Sequence, residues 1–259
     1  MSDAWPSLFV SRGPPTMVIE DSPCRDFLTA LGGEIARPDA VLCVSAHWET
    51  PEPMVSAAPE PATMHDFHGF PEALYELTYP APGAPELATR VAGLLQDAGL
   101  GGGIDRTRGL DHGAWSPLML IYPEATVPVA QLSILASGDA ARHLALGRAL
   151  APLRHERVLV LASGNATHGL AERGRRDDPP AAFARAFDDW LAAAVEAGQT
   201  DALVDYLAVA PEARRNHPTP DHYTPLLVAL GAAGAAAIGR RTHASFLYGS
   251  LSMAAFRFD

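Results

Sequence analysis

Four stretches of this chain are apolar or small at nearly every position: Ser7–Val10, Asp39–Ala46, Val127–Leu135 and Arg157–Ala162. A strand with one wet face alternates polar and apolar residues. An unbroken run instead implies burial on both faces, as in a sheet covered by helices on either side. Helical patterns fill the intervals. Asp21-Ser22-Pro23 places a capping residue and then a proline at the start of a helix reaching Leu31. Pro71–Leu77 and Glu86–Gly99 read as helices, the second with Leu87, Val91, Leu94 and Leu95 at three- to four-residue spacing. Gly138–Leu153, a long stretch Pro180–Tyr206 broken near Gly198, and a helix opened by Thr219-Pro220 and running to Leu230 follow the same logic, and Phe246–Phe258 reads as a closing strand or hairpin. The expected fold is α/β: a single domain over residues 1–259, with a central, mostly parallel or mixed sheet and helices on both faces.

Composition removes several chemistries. The chain contains no lysine, so all 19 basic residues are arginines. That excludes a Schiff-base lysine, the phosphate-gripping lysine of a P-loop and the strand lysine of a protein kinase. With 30 acidic residues the formal charge is −11, a poor match for nucleic acid or anionic lipid. No stretch is apolar enough for a membrane span, and Met1–Pro6 lacks the basic and apolar regions of a signal peptide. Cys24 and Cys43 both sit in apolar surroundings and read as buried free thiols. A soluble cytoplasmic protein, monomer or homodimer, with no nucleic-acid or membrane partner is expected. Arg173-Gly174-Arg175-Arg176 is followed at once by Asp177-Asp178, the pattern of a solvated loop rather than an anion site.

The ten histidines are the informative residues. In open α/β sheets ligands gather beyond the carboxyl ends of the strands. His47 ends the run Val41–Ala46, and His168 lies just past Val158–Ala162. His222 falls in the first turn expected after Thr219-Pro220, and His112 in the loop Gly109-Leu110-Asp111-His112-Gly113. These four could converge on one site, and clustered imidazoles suit zinc, iron, copper or nickel. A lone histidine after a strand is also a common structural residue. His65 and His68 are weaker candidates for a loop closing over such a site, His143 and His155 read as surface, and His217 and His243 carry no separate signal. Neither Ser-Gly pair lies in a nucleophile elbow, and Gly101-Gly102-Gly103 lacks a dinucleotide-binding context.

The strings themselves resemble a known family. Ser45-Ala46-His47-Trp48, His65-Asp66-Phe67 with Gly69-Phe70-Pro71, and Tyr79-Pro80-Ala81-Pro82-Gly83 are similar to the LigB-like (class III) extradiol ring-cleavage dioxygenases, most of all to the DOPA-dioxygenase type. So are Leu110–Trp115, Gln131-Leu132-Ser133, Ala162–Asn165 with His168, Pro218–Tyr223 and Gly249–Met253, in order along nearly the whole chain. The resemblance implies one α/β domain holding a single divalent metal, Fe(II) for activity and Zn(II) in some purified forms. It further implies His47 and His222 as metal ligands, and His168 as acid–base catalyst and an additional ligand to zinc. His112 would face the substrate, with His65 and Tyr223 as further substrate-binding candidates. The substrates implied are a small catechol such as L-DOPA and O₂, the product a muconic semialdehyde of the kind that gives betalamic acid.

At one position the chain departs from the pattern. Where the family's first strand ends in a metal-ligating histidine, this chain has Ser11-Arg12-Gly13-Pro14-Pro15. A guanidinium has no free lone pair, stays protonated, and would set a positive charge beside a divalent cation. Arg12 therefore predicts weak metal binding and low or absent ring cleavage, and could instead pair with a substrate carboxylate. Two other readings of the residues remain: a catalytically silent catechol-binding protein, and a zinc-dependent hydrolase that uses the imidazoles to activate water.

Overall fold

The computed structural model describes residues 4–235 and 238–259; the first residues of the stretch read for a leader lie outside them. Ten strands are defined: β1 (Ser7–Ser11), β2 (Ala40–Thr50), β3 (Met54–Ser56), β4 (Gly103–Asp105), β5 (Val129–Leu135), β6 (Val158–Gly164), β7 (Gly239–His243), β8 (Phe246–Leu247), β9 (Leu251–Ser252) and β10 (Ala255–Phe258). Eight of them form one sheet in the order β4-β3-β5-β2-β6-β1-β10-β7. Its centre is the four apolar runs of the sequence, β5, β2, β6 and β1, paired parallel. Antiparallel pairing of β10 with β1 and β7, and of β3 with β5, makes the sheet mixed. The closing segment divides: β8 and β9 make a two-stranded ladder of their own, while β10 enters the main sheet.

The unbroken apolar runs are explained by two cores, one on each face. Leu42 and Val44 of β2 join one cluster, Val41 and Cys43 the other. The helices are α1 (Pro23–Glu34), α2 (Pro85–Asp97), α3 (His112–Ile121), α4 (Ala140–Leu150), α5 (Ala182–Glu196), the short α6 (Thr200–Val204), α7 (Tyr206–Val209) and α8 (Ala213–Asn216), and α9 (Thr224–Ala232). The cluster containing Leu42 draws on α2, α4, α5 and α9, and that containing Val41 on α1 and α3. Both cysteines are buried free thiols, as read. Among the described residues no helix is long and apolar enough to cross a membrane.

Four local expectations are corrected. Pro71–Leu77 yields only one 3-10 turn, Glu72–Leu74, because Leu74 is its one fully buried apolar anchor. Thr219-Pro220 opens a turn, and α9 starts at Thr224 with Pro225 in its first turn, so His222 precedes the helix. His112 begins a helix rather than lying in a glycine loop: Asp111 caps α3 by accepting from the Ala114 N–H. His143, read as surface, is fully buried; its Nε2 accepts from the Leu135 N–H at 3.0 Å and its Nδ1 donates to the Asp139 carbonyl at 2.6 Å.

Close packing of α4 on α9 depends on glycine at Gly147 and Gly231. A Cβ on Gly147 would overlap the Val228 carbonyl oxygen, and one on Gly231 the Leu144 carbonyl oxygen. Backbone cannot yield as a flexible side chain can, so Gly147→Ala is expected to destabilise the fold by roughly 2–3 kcal/mol, the scale of an overpacked core. An unchanged urea-denaturation midpoint would contradict that.

Candidate active site

Strands β2, β6 and β1 lie side by side and parallel, so their carboxyl ends open on one edge. Arg12 directly follows β1, and Asn165 follows β6. His47 lies within β2 where its register against β5 slips between Ser45 and Glu49; such an irregularity re-aims a side chain. Main-chain hydrogen bonds tie these segments together: Arg12 N–H to the Gly164 carbonyl (3.1 Å), Asn165 N–H to that of His222 (3.0 Å), and His168 N–H to that of Asn216 (2.9 Å). The α3 terminus brings His112, whose N–H donates to Asp66 Oδ1 at 2.8 Å.

At the meeting point stands Arg12, 4% exposed. Its Nη2 donates to Nε2 of His47 and, at 2.8 Å, to Nε2 of His222, while Nη1 donates to the Gly13 carbonyl at 2.5 Å. Arginine can only donate, so both Nε2 atoms are acceptors and each neutral ring carries its proton on Nδ1. Those Nδ1–H groups have carboxylates to receive them: His47 donates to Asp66 Oδ2 (3.0 Å) and His222 to Asp221. Asp66 also pairs through Oδ1 with Nδ1 of His112 at 2.9 Å. Carboxylate-oriented imidazoles that present Nε2 to a common point are the arrangement of a metal centre. Here the same lone pairs face a guanidinium.

Electrostatics follow from this burial. Desolvation lowers Arg12 to about 10, opposed by Asp111, Asp66 and Asp221, so it stays cationic at neutral pH. Burial, and next the Arg12 charge, lower His168 to about 3 and His112 to about 4. His222 lies well below its ordinary value, again chiefly through burial. Burial raises the Asp66 carboxyl, but hydrogen bonds from His112 and His47 more than reverse this and hold it well below the usual range.

A cavity of about 300 Å³ opens over these groups, within the range of small-ligand pockets. Phe67, Phe70, Leu170, Tyr248 and Leu251 give it apolar walls; His168 lines it and stacks on His222 with centroids 3.5 Å apart. A larger cleft of about 500 Å³, around Asp21, Arg185 and Arg241, contains none of the histidines. The structure thus brings together Arg12, His47, His112, His168 and His222. It does not bring His65 or Tyr223 to the cavity. His65 is held by the Leu77 carbonyl (3.0 Å) against Trp115 and Tyr75, and the Tyr223 hydroxyl donates to the Leu203 carbonyl (2.8 Å) inside the core. Arg173, read as part of a solvated loop, lines the cavity mouth and has no ion-pair partner among the described residues. Asp66, Asp221 and Asn165 were not singled out individually from sequence. Only their adjacency to the histidine-bearing strings marked them.

His217 lies behind the site, fully enclosed, with Nε2 donating to the Ala166 carbonyl at 3.0 Å. Burial lowers it to about 4, against about 6.5 in the unfolded chain. The unfolded state therefore takes up the proton first: this contribution is intact above about pH 6.5 and is lost as the pH falls towards 4. Between pH 7 and 5 the loss from His217 is about 2 kcal/mol. In His217→Gln, urea unfolding at the two pH values should show a correspondingly shallower fall.

Residues 5–257 match the family described as the catalytic LigB subunit of aromatic ring-opening dioxygenase. The 4,5-DOPA dioxygenase extradiol of Beta vulgaris is 44% identical over 256 residues, covering 97% of this chain and 96% of the relative. That of Escherichia coli K12 is 42% identical over 236 residues, 89% of this chain and 86% of the relative. The crystal structure of an uncharacterized protein from Escherichia coli K12 superposes with a TM-score of 0.83 at 35% identity, covering 98% of this chain and all of that one. With the family matched end to end, the mixed α/β fold shared and the histidines gathered at the strand ends, this chain belongs to the LigB family of extradiol aromatic ring-opening dioxygenases.

Proposed function

We propose that this chain receives a catechol carrying a carboxylate, L-DOPA being the type, and that Fe(II)-dependent cleavage of its ring by O₂ is impaired here by Arg12. The observation that carries this is the seat of Nη2 on the lone pairs of both His47 Nε2 and His222 Nε2. As it stands the donor set does not fit a divalent ion. Its focus is filled by a covalently anchored cation, which would repel the incoming charge and withhold two ligand atoms. The catechol side of the site supports this reading: an apolar slot of suitable size lined by His168, and Arg173 at the mouth for the substrate carboxylate.

In Arg12→His a third imidazole would complete a donor set suited to Fe(II) or Zn(II). Fe(II) supplies one-electron chemistry between catechol and O₂ that redox-inert zinc lacks, and the product would be the muconic semialdehyde expected of extradiol cleavage. The same observation supports a second reading, a catalytically silent catechol-binding protein. Both are tested by loading the chain and Arg12→His anaerobically with Fe(II), desalting, and measuring bound iron and L-DOPA-dependent O₂ uptake. The expectation is little iron and slow uptake in the chain itself, and a rise in both in the variant. Equal iron and equal rates overturn the role given to Arg12, and L-DOPA binding without uptake in either protein favours the silent reading. The free buried thiols support a reducing, cytoplasmic setting.

A further inference from the structure

Asn165 stands directly after β6, its backbone fixed by the hydrogen bond to the His222 carbonyl. It is 1% exposed and lines the cavity, yet neither Nδ2 nor Oδ1 of its side chain has a hydrogen-bond partner among the described residues. A buried carboxamide unsatisfied at both ends is costly and uncommon, and it calls for a partner that the protein does not supply. The charged groups at the centre of the site are committed. Arg12 Nη2 serves His47 and His222, and Asp66 serves His47 and His112. Thr16 also turns an unpartnered hydroxyl to this cavity, but among its lining side chains Asn165 alone is a carboxamide, with a donor and an acceptor on neighbouring atoms.

We propose that the Asn165 carboxamide is the group that grips the paired oxygens of the catechol, an assignment resting on the catechol reading above. Its Nδ2–H donates to one catechol oxygen, and its Oδ1 accepts from the hydroxyl on the other. A carboxamide suits this pair at both atoms, whereas a carboxylate could only accept and would leave the first oxygen without its donor.

The test compares L-DOPA with L-phenylalanine, which lacks both hydroxyls, in anaerobic calorimetric titrations of the chain, Asn165→Ala and Asn165→Asp; melting temperatures verify folding. L-DOPA should bind both variants about tenfold or more weakly, as loss of a buried polar pair implies. L-phenylalanine should bind all three alike. Should Asn165→Ala fail to fold, Asn165→Ser takes its place with the same expectation. Unchanged L-DOPA affinity, or equal losses for both ligands, overturns the assignment while leaving the catechol reading standing. Failure of L-DOPA to bind the unaltered chain at millimolar concentration overturns the catechol reading and this assignment with it.

Discussion

Arg12→His is expected to turn a chain whose melting temperature ignores Fe(II) and Zn(II) into one that both metals stabilise. In the native site the imidazole lone pairs of His47 and His222 are already taken, so a metal has little differential affinity for the folded state. Removing the guanidinium frees both and adds a third. At a metal concentration a hundredfold above Kd, linkage stabilises the folded state by about 2.7 kcal/mol. For a chain of this size that is a rise of roughly 5–10 °C. Asp66 and Asp221 need no rearrangement, because they already orient the two rings. Differential scanning calorimetry with and without each metal reads the effect independently of turnover. A metal response in the unaltered chain matching that of the variant would show that Arg12 does not hold the position.

The largest loss of stability is expected from Asp111→Ala. Asp111 is fully buried and accepts from Ser45 Oγ (2.7 Å), the Ala114 N–H (3.2 Å) and Gln131 Nε2, while pairing with Arg108 at 3.0 Å. One carboxylate thus caps α3, ties that helix to β2 and β5, and supplies the leading carboxylate influence on Arg12. Truncation strands several buried donors and leaves two guanidinium groups less compensated. Breaking a buried ion pair costs about 3–5 kcal/mol, which here corresponds to a fall in melting temperature of roughly 10 °C. Because His112 is the first residue of α3, L-DOPA affinity should fall as well. A shift below about 3 °C would mean that Arg108 and Gln131 find new partners.

The sheet was legible because strands buried on both faces announce themselves as unbroken apolar runs, and β1, β2, β5 and β6 all lie where those runs stand. The candidate site was legible in part for the same reason, since topology carries His47 and His168 to one edge, whereas Arg12 stood out only as a departure from the family pattern. What periodicity missed has physical causes. Gly113 and Pro117 inside α3 hide a helix whose cap, Asp111, is spent equally on Ser45 and Gln131. His143 was misread because its polar ring is satisfied by backbone groups of β5 and its own helix, contacts that leave no trace in sequence spacing. Asp66 could not be foreseen as the bridge between His47 and His112, because that bridge joins chain segments 19 and 46 residues away.

The hydrogen bonds that join residues 12, 165 and 168 to Gly164, His222 and Asn216 run entirely between main-chain groups. Exchanging the side chain at position 12 therefore leaves the loops where they are. Domains whose folding free energy comes from their ion lack this freedom, because losing the ion unfolds them. Arginine and histidine codons can differ by a single base. A chain built on this frame can pass between holding a metal and carrying its own fixed cation in one mutational step, its loops held at both ends of that step by the same main-chain hydrogen bonds.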